Sequence, residues 1–213
     1  MTPLATVRDH IAASAKLARR SPADIKLIAV SKTRTVEQIE LLIAAGQRDF
    51  GESRVQEATA KWTALRAVYP EIRLHMIGQL QSNKAAEAVA LFDTIHSLDR
   101  ASLLCALSDA ATKAGRFPEC FVQVNVGAET QKGGVAPAEL GSFLAAVRAS
   151  PLPLAGLMCI PPAELEPAPF FAFLNELARR HDVIGLSMGM SADYEIAVKL
   201  GATHVRVGSA LFA

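Results

Sequence analysis

Cysteine is scarce in this chain. Cys105, Cys120 and Cys159 are odd in number, and none belongs to a Cys-x-x-Cys pair. That argues against a disulfide framework and for packed, reduced thiols in a cytoplasmic protein. The 5 histidines show no His-x-x-x-His spacing, so no metal site is expected. Aromatics make up 6% of residues, too few for a base-stacking platform. An excess of one charge is missing too: 22 basic and 21 acidic residues leave a net charge of +1. No global field exists to attract nucleic acid or an anionic membrane. Long apolar runs are absent. The longest uncharged apolar-rich stretch, 149–163, is interrupted by Pro151, Pro153, Pro161 and Pro162 and is too short to span a bilayer. The N-terminus runs straight into Arg8, Asp9, Lys16, Arg19 and Arg20, without the apolar centre of a signal peptide. A soluble cytoplasmic protein is expected, with no nucleic-acid or membrane partner.

What the chain does have is a recurring unit. Apolar residues make up 51% of its 213 residues, enough for a sizeable core, and no linker interrupts them, so one domain over 1–213 is expected. A short apolar strand, a polar turn and an amphipathic helix follow one another repeatedly, the pattern of a parallel sheet with crossover helices. Strands are expected at 25–30, 49–51, 72–77, 94–97, 119–126, 154–158, 183–186 and 204–207. Helices are expected at 35–46, 53–65, from 82, at 100–113, from 137, at 168–180 and at 191–200. Thr35 with Gln38 reads as a capping box, and Gly46 as that helix's stop. One further amphipathic helix, 3–17, precedes the first strand, within an N-terminal segment 1–20 that packs on the domain. Eight units make a (β/α)8 barrel near the lower end of that fold's size range. An open doubly wound sheet is the alternative, but the first turn lacks a Gly-x-Gly-x-x-Gly fingerprint.

Such a barrel carries its chemistry where the strands end. Lys32 directly follows the first strand, in AVSK at 29–32. Partial desolvation there would make its amine a usable nucleophile toward an aldehyde. After strands seven and eight the chain turns small and polar, in SMGMSAD at 187–193 and VRVGS at 205–209. Barrels bind phosphate at this position. Ser191 reads as a helix N-cap facing an anion, Gly208 as a point of close backbone approach, Ser209 as a hydroxyl donor and Arg206 as a charge. An ordinary cap, with Arg206 paired to a carboxylate, is the structural alternative. An amine across the mouth from a phosphate cradle suits a phosphorylated aldehyde. Pyridoxal phosphate (PLP) and a sugar-phosphate aldehyde both qualify, and spacing alone does not separate them.

The same residues belong to a longer series of motifs. AVSK at 29–32, FGESRVQE at 50–57, LHMIGQLQSNK at 74–84 and HSLD at 96–99 come first. QVN at 123–125, ETQKG at 129–133, GLM at 156–158, SMGMS at 187–191 and VRVGSALF at 205–212 complete it. In this order they resemble the pyridoxal phosphate homeostasis protein family across nearly the whole chain. The resemblance implies a barrel akin to the alanine racemase N-terminal domain, fold type III among PLP proteins. It implies PLP as a Schiff base on Lys32, with its phosphate held by Ser191, Arg206, Gly208 and Ser209. Ser53, His75, Ile77 and Met188 complete the expected cofactor-binding set.

The departures are few. The family's usual Asn is Ser53 here, its usual Thr is Ser209, and its closing Gly is Ala213. The resemblance further implies a role in vitamin B6 homeostasis without turnover, with apo-PLP enzymes as recipients and a monomer or weak dimer. A fold-type-III enzyme such as an amino-acid racemase is the alternative, and a Schiff-base aldolase a more distant one. A racemase needs an acid and a base on either face of the cofactor, with a tyrosine from a second, β-rich domain. The chain reaches only to Ala213, and its tyrosines are Tyr69 and Tyr194. No catalytic residue is therefore expected. His96, Met190, Lys84 and Lys132 read first as packed or surface residues, with a part in passing on PLP as the second reading for the two lysines.

Overall fold

The structure is a computed structural model and describes residues 2–129 and 131–212; Ala213 lies outside them. Eight parallel strands close into a barrel in chain order. They are β1 (Lys26–Val30), β2 (Asp49–Glu52), β3 (Arg73–Met76), β4 (Thr94–Leu98), β5 (Glu119–Gln123), β6 (Leu154–Met158), β7 (Gly185–Ser187) and β8 (His204–Val207). The ring closes through β1 and β8, with Ile28 opposite Arg206. The helices are α1 (Pro3–Leu17), α2 (Val36–Ala44), α3 (Val55–Val68), α4 (Ala85–Leu91), α5 (Ala101–Ala114), α6 (Leu140–Ala149), α7 (Ala168–Arg180) and α8 (Tyr194–Lys199). The expected barrel is thus present, and the open-sheet alternative is excluded by the β1–β8 pairing.

The local signals work as their chemistry dictates. Thr35 and Gln38 form the reciprocal capping box of α2. The apolar stripe of α1 buries Leu4, Val7 and Ile11 at helical spacing, and the helix packs on α8. Burial of each of these large side chains stabilises by roughly 2 kcal/mol.

Several expected boundaries shift, and those nearest the barrel mouth have a visible cause. β5 stops at Gln123, not at 126, because the Asn125 side chain folds the chain back by accepting from the Glu129 N–H at 3.1 Å. β7 starts at Gly185; Ile184 is 90% exposed and lies outside the barrel wall. The helix expected from 191 starts at Tyr194. Its entry turn is made by Asp193, whose carboxylate accepts from the Met190 N–H at 2.6 Å. Among the described residues no helix is long and apolar enough to cross a membrane, and no three side chains cluster as a metal site.

Candidate functional site

The C-terminal rim of β1 is built by clamping. Ser31 still pairs with β2, its N–H donating to the Gly51 carbonyl at 3.0 Å. Lys32 then stands exposed on the rim. Thr33 follows with a φ of 63°, a left-handed conformation that β-branched residues rarely adopt. Its N–H donates to Glu57 Oε1 at 2.6 Å. On the other side of Lys32, Lys61 Nζ donates to the Ser31 carbonyl at 2.8 Å. Lys61 also pairs with Glu52 at 3.0 Å and Glu57 at 3.2 Å. Glu52 is fully buried, and its Oε1 further accepts from Ser31 Oγ at 2.7 Å and Trp62 Nε1 at 2.9 Å. Burial raises the Glu57 carboxyl, but the Thr33 N–H and Lys61 outweigh that and hold it below its ordinary range. The peptide on both sides of Lys32 is therefore held from α3. Lys32 itself is not the partly desolvated amine the sequence suggested; the space beside it opens to solvent.

That space is a cavity of about 530 Å³ at the barrel mouth. Val30, Lys32, Thr33 and Arg34 form one wall, and Ser53, Ile77 and Gly78 a second. Met190, Ser191, Arg206, Gly208 and Ser209 form a third, with Ile160 beside them. Seven expected residues meet here: Lys32, Ser53, Ile77, Ser191, Arg206, Gly208 and Ser209. Ser191 is not a helix cap. Its Oγ accepts from the Gly208 N–H at 3.1 Å, so it ties the loops after β7 and β8 together and keeps its own proton free to donate. Gly208 sits where an added Cβ would meet Val30 Cβ at 3.3 Å. Gly78 approaches more closely still: a Cβ there would lie 2.3 Å from the Ser53 carbonyl oxygen.

Arg206 dominates the electrostatics. It is 4% exposed. Nη1 donates to Ser187 Oγ at 2.6 Å and Nη2 to the Cys159 carbonyl at 2.9 Å. Among the described residues no carboxylate lies within 4.0 Å of it, so the ion-paired alternative does not hold. Burial lowers its proton affinity, opposed by Cys159 and Asp193. Two of its five N–H groups are used in these bonds; a buried cation with donors to spare suits an anionic or acceptor-rich ligand.

Two expected contacts fall elsewhere. His75 is fully buried in the barrel, between Asp49 and His96, and does not line the cavity. Met188 is fully buried in the core, and Met190, two residues on, lines the cavity instead. Lys84 pairs with Glu87 at 2.8 Å and does not line the cavity. Lys132 pairs with Glu129 at 2.7 Å and borders a smaller cavity of about 230 Å³ that meets the first at Ile160. Cys105, Cys120 and Cys159 are free thiols, and burial pushes Cys120 and Cys159 up to about 12.

Residues 4–213 match the alanine racemase N-terminal domain family. The chain is 39% identical to the pyridoxal phosphate homeostasis protein of Escherichia coli K12, over 98% of this chain and 94% of that relative. The chain belongs to the pyridoxal phosphate homeostasis protein family. PipY of Synechococcus elongatus, solved with PLP bound, superposes with a TM-score of 0.82 at 40% identity, covering 95% of this chain and 100% of that one. An alanine racemase of Clostridium difficile superposes at 0.72 with 16% identity, covering 96% of this chain and 56% of that one. The latter likeness concerns the barrel fold alone.

As a member of the pyridoxal phosphate homeostasis protein family, this chain has cavity residues that the motif reading passed over. Thr33 and Arg34 directly follow the lysine motif, and the polar rim position itself was their signal. Gly78 sits inside the IGQLQSNK segment, where a glycine after a strand marks close backbone approach. Ile160 carried no signal; its place depends on how the loop after β6 folds over the mouth.

Proposed function

We propose that this chain holds PLP covalently through Lys32 and serves intracellular PLP homeostasis without turning the cofactor over. One observation carries the reading: an exposed lysine amine shares a cavity of about 530 Å³ with a buried arginine and two serine hydroxyls. The residues fit the group. Ser191 and Ser209 offer hydroxyl donors to a phosphate, Gly208 keeps that wall low, and Arg206 has N–H groups to spare for an acceptor. Lys32 offers the amine that an aldehyde needs. When bound, PLP supplies that aldehyde and an electron-withdrawing ring.

The lining speaks for holding over turnover. Among the described residues no carboxylate, histidine or tyrosine lines the cavity. Tyr194 directs its hydroxyl to His10 Nδ1, 2.9 Å away, and Tyr69 to Glu40. Acid–base chemistry on two faces of a cofactor has no obvious carrier here. The near-full-length relative and PipY support the same reading, as does the free-thiol content for a cytoplasmic setting. Apo-enzymes that use PLP are the recipients we propose.

The test is direct. Purified protein loaded with PLP turns yellow, and borohydride fixes the label to the peptide holding Lys32. Lys32→Ala takes up no covalent label. Label on another lysine, or a protein that cannot be loaded, overturns the proposal. So does steady racemisation of an amino acid that is lost in Lys32→Ala.

A further inference from the structure

The barrel interior holds a continuous polar file that cofactor attachment does not use. Arg206 Nη1 donates to Ser187 Oγ at 2.6 Å. Ser187 Oγ lies 2.8 Å from His96 Nδ1. His96 Nε2 lies 3.0 Å from His75 Nδ1, and His75 Nε2 lies 3.0 Å from Asp49 Oδ1. Five side chains from β8, β7, β4, β3 and β2 thus run from the mouth to the first residue of β2. There Asp49 is 19% exposed and has Lys26 at 3.6 Å.

The ends fix the direction of every bond. A guanidinium only donates, and an ionised carboxylate only accepts. Asp49 Oδ1 only accepts, so the His75 proton sits on Nε2 and donates to it. In a neutral ring His75 Nδ1 is then bare and accepts from His96 Nε2–H. His96 Nδ1 is in turn bare and accepts the Ser187 proton, while a lone pair of Ser187 Oγ accepts from Arg206. All four bonds are satisfied with both rings neutral, and reversing any one leaves two donors or two acceptors face to face. The surroundings agree. His96 is faced by His75 from β3, His204 and Arg206 from β8, and Lys26 from β1, with Asp49 the single anion in the file. Burial first, and then these neighbours, keep His96 well below its ordinary proton affinity. Phe121 stacks flat on the His96 ring, centroids 4.5 Å apart and planes at 5°, which fixes its plane.

We propose that Ser187, His96, His75 and Asp49 are positioning residues for Arg206, holding its guanidinium in the one orientation that serves the cofactor cavity. The file fixes where the Ser187 hydroxyl points and so which lone pair faces Arg206. Rotating the guanidinium away would leave that buried lone pair and a buried N–H without partners, so rotation is resisted. This inference rests on the PLP reading for its consequence but not for its existence.

Two measurements test it. In protein labelled with 15N-histidine, long-range proton–nitrogen spectra should show His75 and His96 neutral and protonated on Nε2 from about pH 6 to pH 8. The Arg206 Nη protons should exchange slowly and appear as separate resonances. Ser187→Ala should move the His96 Nδ1 resonance, average the Arg206 Nη signals and raise the PLP dissociation constant about tenfold. Ser187→Thr, which keeps the hydroxyl, should restore it to within about threefold. A His96 proton on Nδ1, or a charged ring at neutral pH, overturns the file in the wild-type protein, whatever the variants do. A Ser187→Ala protein with unchanged Arg206 signals, or with PLP affinity within about twofold of wild type, overturns the positioning role. If the wild-type protein takes up no PLP, the cofactor reading fails, while the histidine and Arg206 resonances still decide whether the file orients the guanidinium.

Discussion

Lys61 Nζ lies 2.8 Å from the carbonyl oxygen of Ser31, the residue that precedes Lys32. The same ammonium pairs with Oε1 of the fully buried Glu52, whose Oε2 has no hydrogen-bond partner among the described residues. Removing one half of a buried pair strands the other charge and costs about 3–5 kcal/mol. Lys61→Met should therefore lower stability by about that amount, while Glu52→Gln, which removes the charge that needs pairing, should cost about half as much or less. Urea unfolding of the two variants checks the order. Equal losses would show that Lys61 acts by packing and not by charge. Lys61→Met should also load PLP more slowly, because the peptide before Lys32 loses its anchor.

Gly78 and Gly46 give a paired prediction. At Gly78 a Cβ would lie 2.3 Å from the Ser53 carbonyl oxygen and 2.8 Å from Ser53 Cα, both backbone atoms. At Gly46 the φ is +87° but nothing lies within 4 Å. Gly46→Ala should cost only the strain of a left-handed alanine, about 1 kcal/mol. Gly78→Ala must push two loops apart and should cost about 2–3 kcal/mol or more. It should also weaken PLP binding, since Ser53 and Gly78 share a wall of the cavity. Thermal melts and PLP titration of both variants test this; weakened binding in Gly46→Ala alone would contradict it.

The buried histidines set an acid limit. Burial, then His75 and Lys26, bring His204 down to about 3, and His96 is also held well below its ordinary value. Both are neutral when folded and become charged at about pH 6.5 when unfolded. Below that pH the unfolded state binds more protons, so stability falls as pH falls. For His204 the loss runs from about pH 6.5 down to its folded value of about 3, at up to about 1.4 kcal/mol per pH unit. His96 contributes a slope of the same sign. Urea unfolding at pH 7 and pH 5 should show a clear loss, reduced in His204→Phe. A flat profile between these values would mean that the rings are already charged in the folded state.

Much of this was legible in the chain. The eight strands were visible as short apolar runs of regular spacing, and Lys32, Ser191, Arg206, Gly208 and Ser209 followed from where those runs stop. Ser191 lines the cavity at the barrel mouth but is not the helix cap its position suggests: the capping pattern reads local backbone, and its hydroxyl meets Gly208, 17 positions away. His75 and Met188 sit in motifs near strand ends, which is why the sequence points to them as cofactor contacts. A motif shows that a residue lies near a strand end, not which way its side chain points: His75 turns into the barrel to meet Asp49 and His96, and Met188 packs in the core. The Glu52–Lys61–Trp62 cluster was not legible at all. Lys61 and Trp62 look like ordinary residues of α3, and only tertiary packing brings them under the Lys32 turn.

Arg206 offers the sharpest separation of stability from binding. Its cation is 4% exposed and has no carboxylate near it among the described residues. Such a charge is expensive to bury, but an apolar side chain of similar length leaves the Ser187 hydroxyl and the Cys159 carbonyl without their donor. In the protein free of PLP the two effects oppose each other. Arg206→Met should thus melt close to the wild-type temperature when unloaded. Its PLP affinity should fall by at least about tenfold if, as proposed, the spare Arg206 donors meet the ligand. Arg206→Lys keeps the charge but lacks the planar fork that reaches Ser187 and Cys159 at once. It should lose affinity almost as far and be the less stable of the two, because it leaves a buried cation with fewer partners. If Arg206→Lys instead binds PLP like the wild type, charge alone suffices at this position, and the geometry of the guanidinium is irrelevant to holding the cofactor.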